Sequence, residues 1–197
     1  MTETDAPAHS IAQALERLGS RPVVLVGLMG AGKTTVGRRL AQALDLSFVD
    51  TDNEIEAASR MSVAELFAAY GEPEFRALEA RVVARLVEGG SQVVATGGGA
   101  FMNEATRQLL RERAVTVWLR AELDVLMDRV LKRPTRPLLQ TADPRQTMLQ
   151  LMERRYPVYA EADIHVESRN VRREQIVREI VDALAAQQNR RVKVALP

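Results

Sequence analysis

The stretch Pro22-Val23-Val24-Leu25-Val26-Gly27-Leu28-Met29-Gly30-Ala31-Gly32-Lys33-Thr34-Thr35 decides the fold. Val23–Val26 is an unbroken apolar run rich in β-branched side chains, the pattern of a short strand buried on both faces. Gly27 to Thr34 then satisfies G-x-x-x-x-G-K-[ST] in the context that gives the pattern meaning, with a strand before it and a helical pattern after it. The glycines let the backbone turn tightly and bring successive N–H groups onto phosphate oxygens. The helix that follows adds its positive dipole end. Gly27, Gly30, Ala31, Gly32, Lys33, Thr34 and Thr35 are therefore the candidate contacts to ATP. Lys33 is expected to reach the β- and γ-phosphates and the Thr34 hydroxyl to ligate Mg²⁺.

Working outward, apolar runs of strand length recur with helical patterns between them. Strands are predicted at about Val23–Val26, Phe48–Asp50, Val93–Thr96, Val115–Leu119 and Ile164–Val166. Helices are predicted over Thr34–Leu44, Val63–Tyr70, Glu74–Val87, Asn103–Arg113, Leu123–Lys132, Pro144–Ala160 and Arg172–Gln187, with an extra one over Ile11–Leu18. Alternation of this kind implies βαβ units, hence an α/β fold in three αβα layers around a five-stranded parallel sheet. The 197 residues suffice for one such domain. It is expected over 21–187, after an N-terminal extension (1–20) and before a tail (188–197), with residues 1–8 and the tail loosely ordered. In open α/β sheets ligands bind where the strands end, so the residues just past each strand are where chemistry should lie.

Three features, the first two in those places, point from nucleotide binding to phosphoryl transfer. Asp50-Thr51-Asp52 follows the second strand. Read as an extended segment, its two carboxylates are expected to face different sides and serve different partners, one near the Mg²⁺ shell and the other near an acceptor hydroxyl. A helix cap is the plainer reading of such an Asp. Gly97-Gly98-Gly99 follows the third strand and removes every side chain where a substrate would approach the backbone. Arg129 to Leu138 is dense in arginine and interrupted by proline, which makes it a loop beyond a helix end. An arginine on such a mobile lid, about 129–144, can close over the γ-phosphate and exclude water.

Composition narrows the partners. Lys and Arg total 27 against 26 Asp and Glu, a formal charge of +1, and aromatic residues are 4%. A broad nucleic-acid surface with a stacking platform is not expected from that balance. There is no cysteine, and two histidines are too few for a His-based metal centre. Residues 1–20 carry early acids and no long apolar run, which fits neither a secretory signal nor a membrane span. A cytoplasmic monomer without membrane contact is expected.

In order, the motifs Gly27–Thr34, Asp50–Asp52, Phe75-Arg76 with Glu79, Gly97–Gly99, Arg136-Pro137-Leu138-Leu139 and Arg155-Tyr156-Pro157-Val158-Tyr159 resemble the shikimate kinase family over roughly residues 20–185. The resemblance implies a P-loop NTPase fold of the nucleoside monophosphate kinase-like type. It also implies transfer of the ATP γ-phosphoryl group to the 3-hydroxyl of shikimate, in aromatic amino-acid biosynthesis. By that analogy Asp52 contacts the ring hydroxyls and accepts the attacking proton. Arg76 and Arg155 hold the carboxylate, a task suited to planar guanidinium groups. Glu79 fixes Arg76, Gly97, Gly98 and Gly99 line the substrate, Asp50 lies near Mg²⁺, Arg136 is the lid arginine and Arg129 lies against adenine. Arg169, in a poorly matching adenine loop, is carried over as an ATP contact. Phe67 and Phe75 are candidates for the shikimate pocket, with core burial the competing assignment. A gluconate kinase explains the phosphate loop and the lid but not Arg76 and Arg155 as paired carboxylate holders beside Gly97–Gly99, and a nucleotide switch without turnover would show no acceptor-dependent ADP release.

Overall fold

The computed structural model describes residues 5–132 and 141–187. Strands β1 (Val23–Val26), β2 (Ser47–Asp50), β3 (Gln92–Ala95), β4 (Val115–Arg120) and β5 (Ile164–Glu167) form one sheet in the order β2-β3-β1-β4-β5, with every pair parallel. Central β1 and β3 are buried at all four positions, which is why their sequences run apolar without alternation. Edge strand β2 is only partly buried and reads as mixed.

Right-handed crossovers fix the layers. From β1 the chain runs through α2 (Lys33–Leu44) to β2, toward one edge of the sheet. The later connections run the opposite way, through α4 (Val63–Glu88), α5 (Glu104–Arg113), α6 (Leu123–Leu131) and α7 (Pro144–Tyr159), so these helices cover the other face. Helix α8 (Arg173–Ala186) packs against α2, and α1 (Asp5–Leu18) packs on α8. The three-layer α/β arrangement expected from the strand–helix alternation is the one found. Val23, Leu25, Leu40, Val117, Leu126 and Ile180, all fully buried, mark its core. Because β1 and β3 are neighbours whose outgoing chains part to opposite faces, a crevice opens at their carboxyl ends.

Local departures from the sequence expectation have physical causes. The N-terminal helix starts at Asp5 rather than Ile11, within the segment expected to be loose. Its Ala14 and Leu18, one turn apart, are buried. The two helices expected around Tyr70 form one run, broken at Gly71 with φ 77° and ψ 176° and followed by Pro73. Helix α3 (Thr51–Ser59) was not expected, because only Thr51 and Ile55 of it are buried and no apolar stripe announces it. Its start signal was in view: Asp50 caps it by accepting from the Asp52 backbone N–H at 3.1 Å. The Asp-Thr-Asp segment is thus a strand end turning into a helix, not an extended segment. Residues i and i+2 of an extended strand would in fact share a face; the two carboxylates part because the chain turns helical after Asp50.

Candidate active site

The phosphate loop leaves β1 and enters α2 through Gly32, whose φ of 94° is left-handed and suits a residue without Cβ. Lys33 folds back over the loop, donating from Nζ to Gly27 O at 2.7 Å and Leu28 O at 3.0 Å. Thr34 Oγ1 donates to Asp50 Oδ2 at 2.9 Å, which joins the start of α2 to the end of β2. A hydroxyl and a carboxylate held together at a helix N-terminus are hard oxygen donors of the kind Mg²⁺ takes. Among the described residues no group of three or more His, Asp or Glu is gathered to hold a metal unaided. Mg²⁺ in nucleotide sites commonly has one or two protein ligands, with phosphate and water supplying the rest.

Next to this loop lies the glycine turn after β3. Thr51, fully buried at the head of α3, accepts from the Gly97 N–H through Oγ1 at 2.9 Å. A Cβ at Gly97 would meet Glu79 Oε1 at 2.6 Å and Asp52 Oδ1 at 3.1 Å. One at Gly98 would meet Arg155 Nη1 at 3.3 Å and the phosphate-loop backbone at Gly27 O, 3.5 Å away. At Gly99 it would collide with the Arg76 guanidinium. The glycines are therefore required by close approach, and the three-residue turn brings Asp52, Glu79, Arg76 and Arg155 to one place beside the phosphate loop.

The charges there are strongly coupled. Arg76 Nη1 pairs with Glu79 Oε2 at 2.7 Å, and Nε and Nη2 each reach Glu72 Oε1 at 3.2 Å. Burial pushes the Glu79 carboxyl above its ordinary range; Arg76 and Arg155 pull it back down, and Asp52 pushes it further up. Burial pulls the Arg76 guanidinium down, but Glu79 and Glu72 more than offset this and hold it above its usual value. Glu79 Oε1 is buried and has no hydrogen-bond partner among the described residues. An acid and two guanidiniums on a side-chain-free turn, beside a phosphate loop, can hold a small hydroxylated acid against a nucleotide's terminal phosphate.

The family model described as shikimate kinase matches residues 29–185. The chain belongs to the shikimate kinase family. A shikimate kinase of Mesorhizobium japonicum is 56% identical over 182 residues, which is 92% of this chain and 90% of that protein. One of Rhizobium meliloti is 54% identical over 186 residues, covering 94% and 97%. Among solved structures, a shikimate kinase from Acinetobacter baumannii in complex with shikimate superposes with a TM-score of 0.80 at 34% identity, covering 85% of this chain and 94% of that one.

The remaining residues suggested by the family resemblance fall as follows. Arg129, on the last turn of α6, donates to Gly30 O at 3.2 Å, Ser168 Oγ at 2.9 Å and Arg169 O at 2.9 Å, so it ties the phosphate loop to the loop between β5 and α8. Arg169 turns its guanidinium to Glu179 and offers only its carbonyl to Arg129. Ser168, buried, donates to Ala31 O at 2.6 Å. Phe75 is buried and Phe67 half-buried, their rings 4.5 Å apart, and Arg76 sits 5.1 Å over Phe75. Arg136 and half of the lid, residues 133–140, lie outside the described residues. Two side chains that hold the turn, Thr51 and Tyr159, were quoted in the sequence motifs but given no part there. Nothing local in the sequence marks them, since their partners lie 46 and 61 positions away.

Proposed function

We propose that the crevice at the carboxyl ends of β1 and β3 carries out the phosphorylation, with Lys33 on the nucleotide side and Asp52, Arg76 and Arg155 on the acceptor side. The reaction is the family's: ATP gives its γ-phosphoryl group to the 3-hydroxyl of shikimate, yielding shikimate 3-phosphate and ADP. The bond from phosphorus to the β–γ bridging oxygen breaks as the bond to the acceptor oxygen forms, and the hydroxyl proton goes to the Asp52 carboxylate. Arg76 and Arg155 pair with the acceptor carboxylate, and Glu79 holds Arg76 in place. Phe67 and Phe75 flank that end of the pocket. Lys33 turns from its loop carbonyls to the β- and γ-phosphates, while the amides of Gly27 to Thr35 cradle the phosphates and Arg129 and the Arg169 loop border the adenosine.

Thr34 and Asp50 would hold Mg²⁺, which supplies charge neutralisation on the phosphates when bound. Arg136 is proposed as the lid arginine over the γ-phosphate. Phosphoryl transfer asks mainly for positioning and charge, and these side chains supply both. The observation that carries this reading is the convergence of Asp52, Glu79, Arg76 and Arg155 on Gly97–Gly99, within reach of Gly27. Among the described residues no helix is long and apolar enough to cross a membrane.

The test couples ADP release to added acceptor, with ATP and Mg²⁺ present. Shikimate-dependent release with none from gluconate is expected. Release from gluconate alone, or nucleotide binding without acceptor-dependent release, overturns the assignment.

A further inference from the structure

The motif Arg155-Tyr156-Pro157-Val158-Tyr159 ends in a side chain to which the reaction above gives no task. Tyr159 is fully buried at the end of α7. Its ring sits 6.4 Å from that of Phe101 and 6.0 Å from that of Trp118. The hydroxyl nevertheless has a definite target, since it donates to Gly98 O. Arg155 Nη1 donates to the same oxygen at 2.9 Å. Arg155 and Tyr159 are one helical turn apart and so lie on one face of α7. A carbonyl oxygen has two lone pairs, and α7 takes up both.

Holding that carbonyl fixes more than one atom. Gly98 C=O and Gly99 N–H belong to one planar trans unit and point in opposite directions. With the oxygen drawn to α7, the Gly99 N–H must face away from it. Three glycines in a row offer no side chain that would stop this peptide from turning over. Among the described residues neither the Gly98 nor the Gly99 N–H has a hydrogen-bond acceptor, although Gly98 is half-buried and Gly99 buried. Both amides border Arg76, Arg155 and the phosphate loop, where an oxygen of a ligand can pair with them, and for Gly99, the buried residue of the two, such pairing is the rule.

We propose that Tyr159 is a positioning residue for the acceptor: with Arg155 it locks the Gly98–Gly99 peptide so that its N–H is presented to an oxygen of bound shikimate. The proposal rests on the shikimate-binding role assigned to this turn. Burial pushes the Tyr159 hydroxyl up to about 12, so it stays protonated and remains a donor through the neutral range. It takes no part in proton transfer, which stays with Asp52.

Tyr159→Phe keeps the ring among Phe101 and Trp118 and removes only the hydroxyl. The expected result is a KM for shikimate raised about tenfold, as befits one lost hydrogen bond in a site of this kind, with the KM for ATP within about twofold of wild type. A shikimate KM that stays within twofold, or one that rises together with the ATP value, overturns the proposal. A second measurement needs no variant. In the wild-type protein, saturating shikimate without nucleotide should shift the Gly99 amide resonance and slow its hydrogen exchange, and an unmoved Gly99 amide overturns the proposal whether or not Tyr159→Phe folds. Wild-type protein that releases no ADP with shikimate would defeat the functional assignment instead. Active wild type with an unaltered Tyr159→Phe defeats the positioning role alone.

Discussion

Arg76 is restrained before any ligand arrives. Glu79 takes Nη1 at 2.7 Å, Glu72 takes Nε and Nη2 at 3.2 Å, and Phe75 lies beneath the guanidinium. A guanidinium so fixed loses little further freedom when a carboxylate pairs with it, which is what makes it useful for binding. Lysine would keep the positive charge but has no fork with which to meet Glu79, Glu72 and a carboxylate together. Arg76→Lys should therefore raise the KM for shikimate by roughly 10- to 100-fold, the equivalent of one or two charge-assisted hydrogen bonds at about 1.5–3 kcal/mol in all. The KM for ATP should change by no more than about twofold. Steady-state kinetics with each substrate varied in turn decides it. An equal rise for both substrates would show that Arg76 shapes the cleft as a whole rather than gripping the acceptor.

Arg76 and Glu79 are delivered by α4, so the beginning and the break of that helix set where they stand. The beginning is a capping box: Ser62 Oγ accepts from Glu65 N at 3.2 Å, and Glu65 Oε2 accepts from Ser62 N at 2.7 Å. Between this cap and Arg76 the helix is interrupted at Gly71. The cap should thus stabilise the first segment without steering the second. Ser62→Ala is expected to cost about 1 kcal/mol, as lost N-cap side chains do, and to lower Tm by about 2–4 °C for a chain of this size. Both KM values should stay near wild type, and a marked change in the shikimate KM would mean that the two segments move as one. Elements of this kind differ in how openly the sequence displays them. Strands β1, β3 and β4 are legible because burial on both faces leaves a nearly continuous apolar run, and α2 because a phosphate loop demands it. Helix α3 escapes because it buries too few side chains to form a stripe. The motif residues Asp52, Arg76, Gly97–Gly99 and Arg155 can be picked out singly, but their meeting cannot. Thr51 on the Gly97 N–H and Tyr159 on Gly98 O are contacts between distant segments, and no local pattern encodes them.

At the scale of the whole molecule the two ends of the sheet have separate tasks. The phosphate loop, the start of α3 and the glycine turn all follow strand carboxyl ends, so the chemistry is gathered there. Helix α1 is tied down at the other end: Ser91, just before β3, donates through Oγ to Gly19 O at 2.9 Å, and Gly19 precedes β1. From there α1 lies along α8, burying Ala14 and Leu18. A chain beginning at Gly19 would expose the apolar surface of α8 that these residues cover. Losing a buried leucine and its neighbours costs on the order of 3 kcal/mol, which corresponds to a fall in Tm of roughly 6–12 °C. Because that loss lies at the amino ends of the strands, kcat and both KM values measured well below the new Tm should remain within about twofold of the full chain. Thermal unfolding and kinetics on the same preparation separate the two effects. A truncated chain that keeps its Tm would mean that α1 adds nothing to the core. One that folds well but binds ATP poorly would mean that α8, which follows the Ser168–Arg169 loop, transmits the loss across the sheet to the phosphate loop.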